Sequence, residues 1–195
     1  MKHQSGVTLV EVLVSMVIMA IGLVSLAALQ NFTLRYQLGS AHRAQLSGLL
    51  SDYAERVRSN LGQAPGVVSH ASTGGSYLFA QDWDAQKADP VVTTSCSSGG
   101  PCSDLQLVEA DMQEWRRRVR SELPRGSVWI AGDAIRGLAV TFMWFDKEFV
   151  ASVSGNAAKA IQCAAASVAH APQECCPTGV HAPAGVRCVT FSIVP

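Results

Sequence analysis

Residues 5–11 read Ser5-Gly6-Val7-Thr8-Leu9-Val10-Glu11, and residues 12–29 continue VLVSMVIMAIGLVSLAAL. From Val7 to Leu29 there are 23 residues and one charge, Glu11. As a helix this run is roughly 35 Å long, enough to cross a hydrocarbon core of about 30 Å. A surface helix of a soluble domain keeps a polar face, and this run has none. It reads as a membrane span, a cleaved signal, or a helix buried in an assembly. A secretory signal would have a shorter apolar region and a small-residue exit site, and QNFTLRYQ after Leu29 offers no such exit. A simple anchor accounts for the length but leaves Glu11 unexplained. A carboxylate at the bilayer centre costs on the order of 3 kcal/mol, less near the interface.

The composition agrees that much of the chain avoids water. Of 195 residues, 48% are hydrophobic and only 15% charged, against about a quarter charged in ordinary soluble domains. Lys+Arg 15 balance Asp+Glu 15. No global basic field argues for nucleic acid, and no acidic excess argues for disorder. With 16 Gly and 8 Pro, collagen-like and Pro-rich readings drop out.

Beyond Leu29 the helical pattern continues. Leu46, Leu50, Tyr53, Val57 and Leu61 form one apolar stripe, with Arg43, Asp52, Glu55, Arg56 and Arg58 off it. A single helix over Val7–Asn60 is expected. It has no Pro, and Gly22 and Gly39 are its weak points. Asn60-Leu-Gly-Gln-Ala-Pro-Gly66 ends it. Residues 62–103 read as an irregular connection with one short strand near Tyr77-Leu78-Phe79. Ser103-Asp-Leu-Gln106 fits a capping box opening a second helix. Leu105, Val108, Met112, Trp115 and Val119 form its stripe, and Pro124 and Gly126 stop it. Strands are expected at 127–131, at 138–145 after a Gly132-Asp133 turn, and at 186–194, where Val189, Phe191 and Ile193 share a face. Residues 151–185 show no clear period. A long helix on a small antiparallel sheet with a covering helix is an α+β domain.

The stretch from Ser5 to Glu11, at the border of the apolar run, resembles the N-terminal signal of type IV pilins and type II secretion pseudopilins. The resemblance implies a leader of residues 1–6, cut after Gly6 by a prepilin peptidase that methylates the new amino terminus at Val7. Phe is commoner in that family where Val7 stands. Glu11 becomes the fifth residue of the mature chain, the docking group for the amino terminus of an adjacent subunit. Physical chemistry agrees, because an ammonium and a carboxylate buried together neutralise each other, whereas either alone is costly. Glu11 is also one turn from Val7, so a pair within the chain is possible. Downstream, a Cys-bounded loop precedes a helix with Asp111 and Trp115. That helix runs into Leu123-Pro-Arg-Gly126, and a strand ends in Trp144-Phe145-Asp146. With IGLVSLAALQ and AHRAQLSGLLSDYAERVRSN, this is similar to the minor pilins of the PilV group, the type IV pilus modification proteins.

The resemblance implies an assembly half over 7–29, an amphipathic half over 30–61 and a periplasmic domain over 62–195. It implies an inner-membrane anchor and then a place in the fibre or its tip complex. The implied partners are the prepilin peptidase, other minor pilins, the major pilin and the assembly platform. A minor pseudopilin of type II secretion and a DNA- or surface-binding tip adhesin are the alternatives.

Six cysteines, Cys96, Cys102, Cys163, Cys175, Cys176 and Cys188, suit an oxidising compartment and allow 15 pairings. Cys96–Cys102 is the most local. The other four supply two bridges whose pairing stays open, except that adjacent Cys175 and Cys176 strain a mutual bond. A zinc site using cysteines with His170 and His181 lacks a paired CxxC frame. No metal or cofactor is expected. Arg116, Arg117, Arg118 and Arg120 suit the carbonyl end of a helix dipole. They read as a solvated helix end without an aromatic stacking platform, so nucleic acid is not expected as a partner. No GxSxG, phosphate loop or HExxH is present, so no enzyme is expected.

Overall fold

The apolar run is helical in the computed structural model, which describes residues 8–61, 68, 76–90, 96, 102–146, 162–163 and 174–195, with the backbone alone at 35, 36, 38 and 39. Helix α1 spans Leu9–Leu61 and includes both Gly22 and Gly39. The chain divides into two compact units, Met1–Ala41 and His42–Pro195. The amphipathic half expected over 30–61 is therefore shared between them.

In the first unit, Leu9–Leu34 is long and apolar enough to cross a membrane. Its large side chains, from Leu9 at 78% to Leu34 at 59%, are exposed in the isolated chain. Its hydroxyls turn inward to the backbone. Ser15 Oγ donates to the Val12 carbonyl at 2.8 Å, Ser25 Oγ to Ile21 at 2.9 Å and Thr33 Oγ1 to Leu29 at 2.8 Å. These polar atoms are satisfied within the helix, as water-free surroundings require.

In the second unit, residues 42–61 of α1 lie against helix α2, Asp104–Glu122, and a three-stranded antiparallel sheet. The strands are β1 Ser127–Asp133, β2 Gly137–Phe145 and β3 Val186–Ile193, in that order. This is the α+β architecture. Ser103 caps α2, and Gln106 reciprocates by accepting from the Ser103 N–H at 3.0 Å. After α2, a Cβ on Gly126 would stand 2.3 Å from the Val119 carbonyl oxygen, so the chain turns tightly only with glycine there.

One face of the sheet meets the helices. Leu138, Val140, Phe142 and Trp144 alternate along β2 and join Leu46, Leu49, Tyr53 and Val57 of α1 and Val108, Trp115 and Val119 of α2. Val189, Phe191 and Ile193 of β3 flank this core. The opposite face carries a second core, with Met143, Val186, Cys176, Cys188, Trp83 and Val180 packed together. Thr141 and Thr190 are register partners there and share a hydrogen bond at 2.9 Å. The outer edge of β1 is also covered. Phe79 exchanges both backbone hydrogen bonds with Ile130, at 3.1 and 2.7 Å. The Gln86 side-chain amide donates to the Val128 carbonyl at 3.0 Å and accepts from its N–H at 3.1 Å. A side chain thus stands in for a strand residue.

Three expectations change. The hairpin turn is not at Gly132-Asp133, which lie within β1, with Asp133 opposite Gly137. The bend follows Asp133, whose carboxylate accepts from the N–H groups of Ile135 at 2.9 Å and Arg136 at 2.7 Å. Those two donors hold the Asp133 carboxyl below its ordinary value. The strand near 77–79 is a single bridge at Phe79. Leu105 is 56% exposed, while Leu49, off the expected stripe, is fully buried.

Candidate functional site

Gly6 and Val7, the expected cleavage and methylation positions, lie outside the described residues. The next residue, Thr8, begins the described chain and caps α1. Its Oγ1 accepts from the Glu11 N–H at 3.4 Å, and its carbonyl accepts from Glu11 and Val12 at 3.1 and 3.3 Å. Glu11 therefore occupies the first turn of α1, where the positive end of the helix dipole favours a carboxylate. From Val12 to Leu34 the sequence has no charge. Those 23 residues cover roughly 35 Å as helix, so a span can be completed without placing Glu11 at the bilayer centre. Its carboxylate is left at the end of the apolar run.

The cysteines form three bridges, Cys96–Cys102, Cys163–Cys175 and Cys176–Cys188. No cysteine is free, so no thiolate remains for the zinc alternative. His170 lies outside the described residues. Among the described residues no group of His, Cys, Asp and Glu is arranged to hold a metal ion. Two of the bridges meet at adjacent residues. The Cys163 N–H donates to the Cys176 carbonyl at 2.9 Å, and Cys176–Cys188 ties this segment to β3 over the second core.

The arginine run of α2 is a solvated helix end only in part: Arg117 and Arg118 are exposed, whereas Arg116 and Arg120 are half-buried. The Arg116 guanidinium lies 3.7 Å from the centroid of the Phe79 ring. Burial, and next the neighbouring Arg120, push its pKa down to about 10. Arg118 pairs with Glu122 at 2.7 Å and with Asp52 at 3.2 Å. Arg120 donates to the carbonyls of Gln86 and Lys87 and pairs with Asp89 at 3.2 Å. Three of the four arginines tie α2 to neighbouring elements, and the aromatic ring beside them is already covered.

A polar lock unseen in the sequence joins α1, α2 and the segment at Tyr77. Asp111 accepts from Arg56 at 3.0 Å, Asn60 at 3.1 Å and the Tyr77 hydroxyl at 3.0 Å. Tyr53 donates to the Tyr77 carbonyl at 3.0 Å, and the Trp115 indole donates to the Leu49 carbonyl at 2.9 Å. Burial first, and then the neighbouring Tyr77, raise the Tyr53 pKa well above its ordinary value. Burial is also the leading cause for Tyr77, with Asp111 adding to it. Arg56 loses by burial but gains more from Asp52, Asp111 and Glu114, so its pKa rises.

The molecule thus combines an N-terminal helix long and apolar enough to cross a membrane with a disulfide-bridged α+β unit. Among known families, residues 1–27 match the prokaryotic N-terminal methylation motif. Comparison with curated proteins and with solved structures gave no significant match. The motif supports a type IV pilin-like or pseudopilin protein and implies processing by a prepilin peptidase. The fold, a long apolar N-terminal helix followed by a small antiparallel sheet, is consistent with it.

Proposed function

We propose that this chain is a minor pilin of a type IV pilus, of the PilV kind, which helps to initiate or modify the fibre by packing rather than by catalysis. The leader is cut between Gly6 and Val7, and the new amino terminus is methylated. The chain stays in the inner membrane as a single span with its disulfide-bridged unit in the periplasm. It then joins other minor pilins and the major pilin through the assembly platform. Glu11 receives the ammonium of the adjacent subunit. The observation that carries this reading is the methylation motif over residues 1–27, with Glu11 held in the first turn of an otherwise apolar helix. Orientation is argued from the three bridges, which need an oxidising compartment. Flanking charge gives no help, since Lys2 precedes the span while Arg35 and Arg43 follow it.

The test is Glu11→Val. The apolar run gains by losing a charge, so expression, insertion and cleavage should persist. Incorporation into sheared pili should fail, because removing one partner of a buried ion pair costs roughly 3–5 kcal/mol. Normal incorporation with unchanged pilus number would remove Glu11 from its docking role. Intact pili with lost export of a type II secretion substrate would assign the chain to the pseudopilins instead.

A further inference from the structure

Ser127 opens β1 and is only 5% exposed. Among the described residues its hydroxyl has no hydrogen-bond partner. It lines a cavity of about 10 Å³ bounded by α2, the start of β1 and the segment at 86–90, and Arg116 and Arg120 line the same cavity. A buried hydroxyl left unbonded is costly, so this donor calls for an acceptor.

Arg116 brings further free donors. Arg118 and Arg120 pair with Glu122 and Asp89, but among the described residues Arg116 pairs with no carboxylate. Its partner is the Phe79 ring, 3.7 Å from the guanidinium. Burial and Arg120 together lower its pKa, with no carboxylate contributing. A ring covers the face of a guanidinium and leaves the N–H groups in its plane free. Arg120 adds charge, but its donors are engaged by the Gln86 and Lys87 carbonyls and by Asp89. Asp89 is 86% exposed, so water screens its opposition to an anion. The Gln86 amide is taken up by Gln81 and Val128.

These groups select the ligand. A cation would meet two guanidinium groups. A water would satisfy Ser127 but leave the half-buried Arg116 charge uncompensated. About 10 Å³ admits one water-sized body, which suits a monatomic anion over a polyatomic one.

We propose that this cavity binds a halide, chloride in ordinary salt solutions, held by the Arg116 guanidinium and the Ser127 hydroxyl, with Arg120 adding charge. The anion links α2 to the start of β1 and makes the stability of the second unit depend on which anion is present. The inference stands apart from the pilin reading and from cleavage of the chain.

The full chain is held in a neutral detergent while chloride replaces gluconate at constant ionic strength, which keeps screening fixed. Near-ultraviolet dichroism gives the urea midpoint of the second unit, which contains all four tryptophans. Chloride NMR line width reports binding directly. The wild type should gain midpoint saturably with chloride and broaden the line. Ser127→Ala should be no less stable in gluconate and should bind chloride about ten-fold more weakly. Arg116→Gln should lose the chloride response yet match or exceed the wild type in gluconate, because an uncompensated charge is gone. A midpoint indifferent to chloride, a response unchanged in Ser127→Ala, or acetate acting as strongly as chloride would each overturn the site.

Discussion

Replacing Asp111 by Ala removes the acceptor on which Arg56, Asn60 and Tyr77 converge, at 3.0, 3.1 and 3.0 Å. Arg56 keeps Asp52 at 3.0 Å, so it is not left unpaired. The Tyr77 hydroxyl keeps the Asn60 amide beside it, but its own proton has nowhere to go. Hydrogen bonds to a charged group are worth about 1.5–3 kcal/mol each, and several on one atom group do not add fully. The Asp111 side chain is 21% exposed, and water recovers part of the loss. The net expectation is about 3 kcal/mol for Asp111→Ala and about 1–2 kcal/mol for Asp111→Asn, which keeps an acceptor. For a domain of this size each kcal/mol moves the melting midpoint by about 2–4 °C, so the alanine variant should melt roughly 6–12 °C lower. The assay is urea unfolding followed by near-ultraviolet dichroism, in which Trp115 reports the α1–α2 contact. A double-mutant cycle with Tyr77→Phe should show coupling of about 1 kcal/mol. A change within about 0.5 kcal/mol for Asp111→Ala would refute the reasoning and reduce the lock to surface decoration.

Residues from about 30 onward should form a soluble domain when exported to an oxidising compartment, and thiol counting after denaturation should find none free. Losing Cys163–Cys175 or Cys176–Cys188, each closing a separation of 12 residues, should cost about 2–3 kcal/mol, while several free thiols in exported wild-type material would contradict the bridges. Alkaline pH should destabilise the second unit. The folded-state pKa values of Tyr53 and Tyr77 lie above the ordinary 10.0, so their stabilisation is full below that pH and lost as pH rises past it. Tyr77→Phe should flatten the fall in urea midpoint above pH 10, and an unchanged slope would contradict it.

The sequence made the helices legible because their signals are local. The Ser103–Gln106 capping box and the stripe through Val108, Met112, Trp115 and Val119 are set by near neighbours. Periodicity assigns a face but not how far the core extends along it. Leu105 therefore shares the stripe and remains exposed, and Leu49 enters the core because α2 lies on that side. Gly132-Asp133 looks like a turn, yet the Asp133 carboxylate captures the N–H groups of Ile135 and Arg136 and the bend lies downstream. A Cβ on Gly132 would stand 2.2 Å from the Gly137 carbonyl oxygen, so that glycine serves a close approach between strands.

The second core, the Gln86 edge cover and the Asp111 lock depend on contacts between distant segments, which no spacing encodes. The arginine run was half legible for the same reason: Arg117 and Arg118 are exposed as a helix end suggests, but Phe79 and Asp89 are brought beside Arg116 and Arg120 from elsewhere in the chain. Of the candidate site, Glu11 was legible from one charge in a long apolar run.

The most direct test of the account is the intact mass of the mature protein taken from membranes of cells with an active prepilin peptidase. The account predicts a chain that begins at Val7, lighter by residues 1–6 and heavier by one methyl group on the new amino terminus. A mature chain that still begins at Met1 in those cells would contradict it.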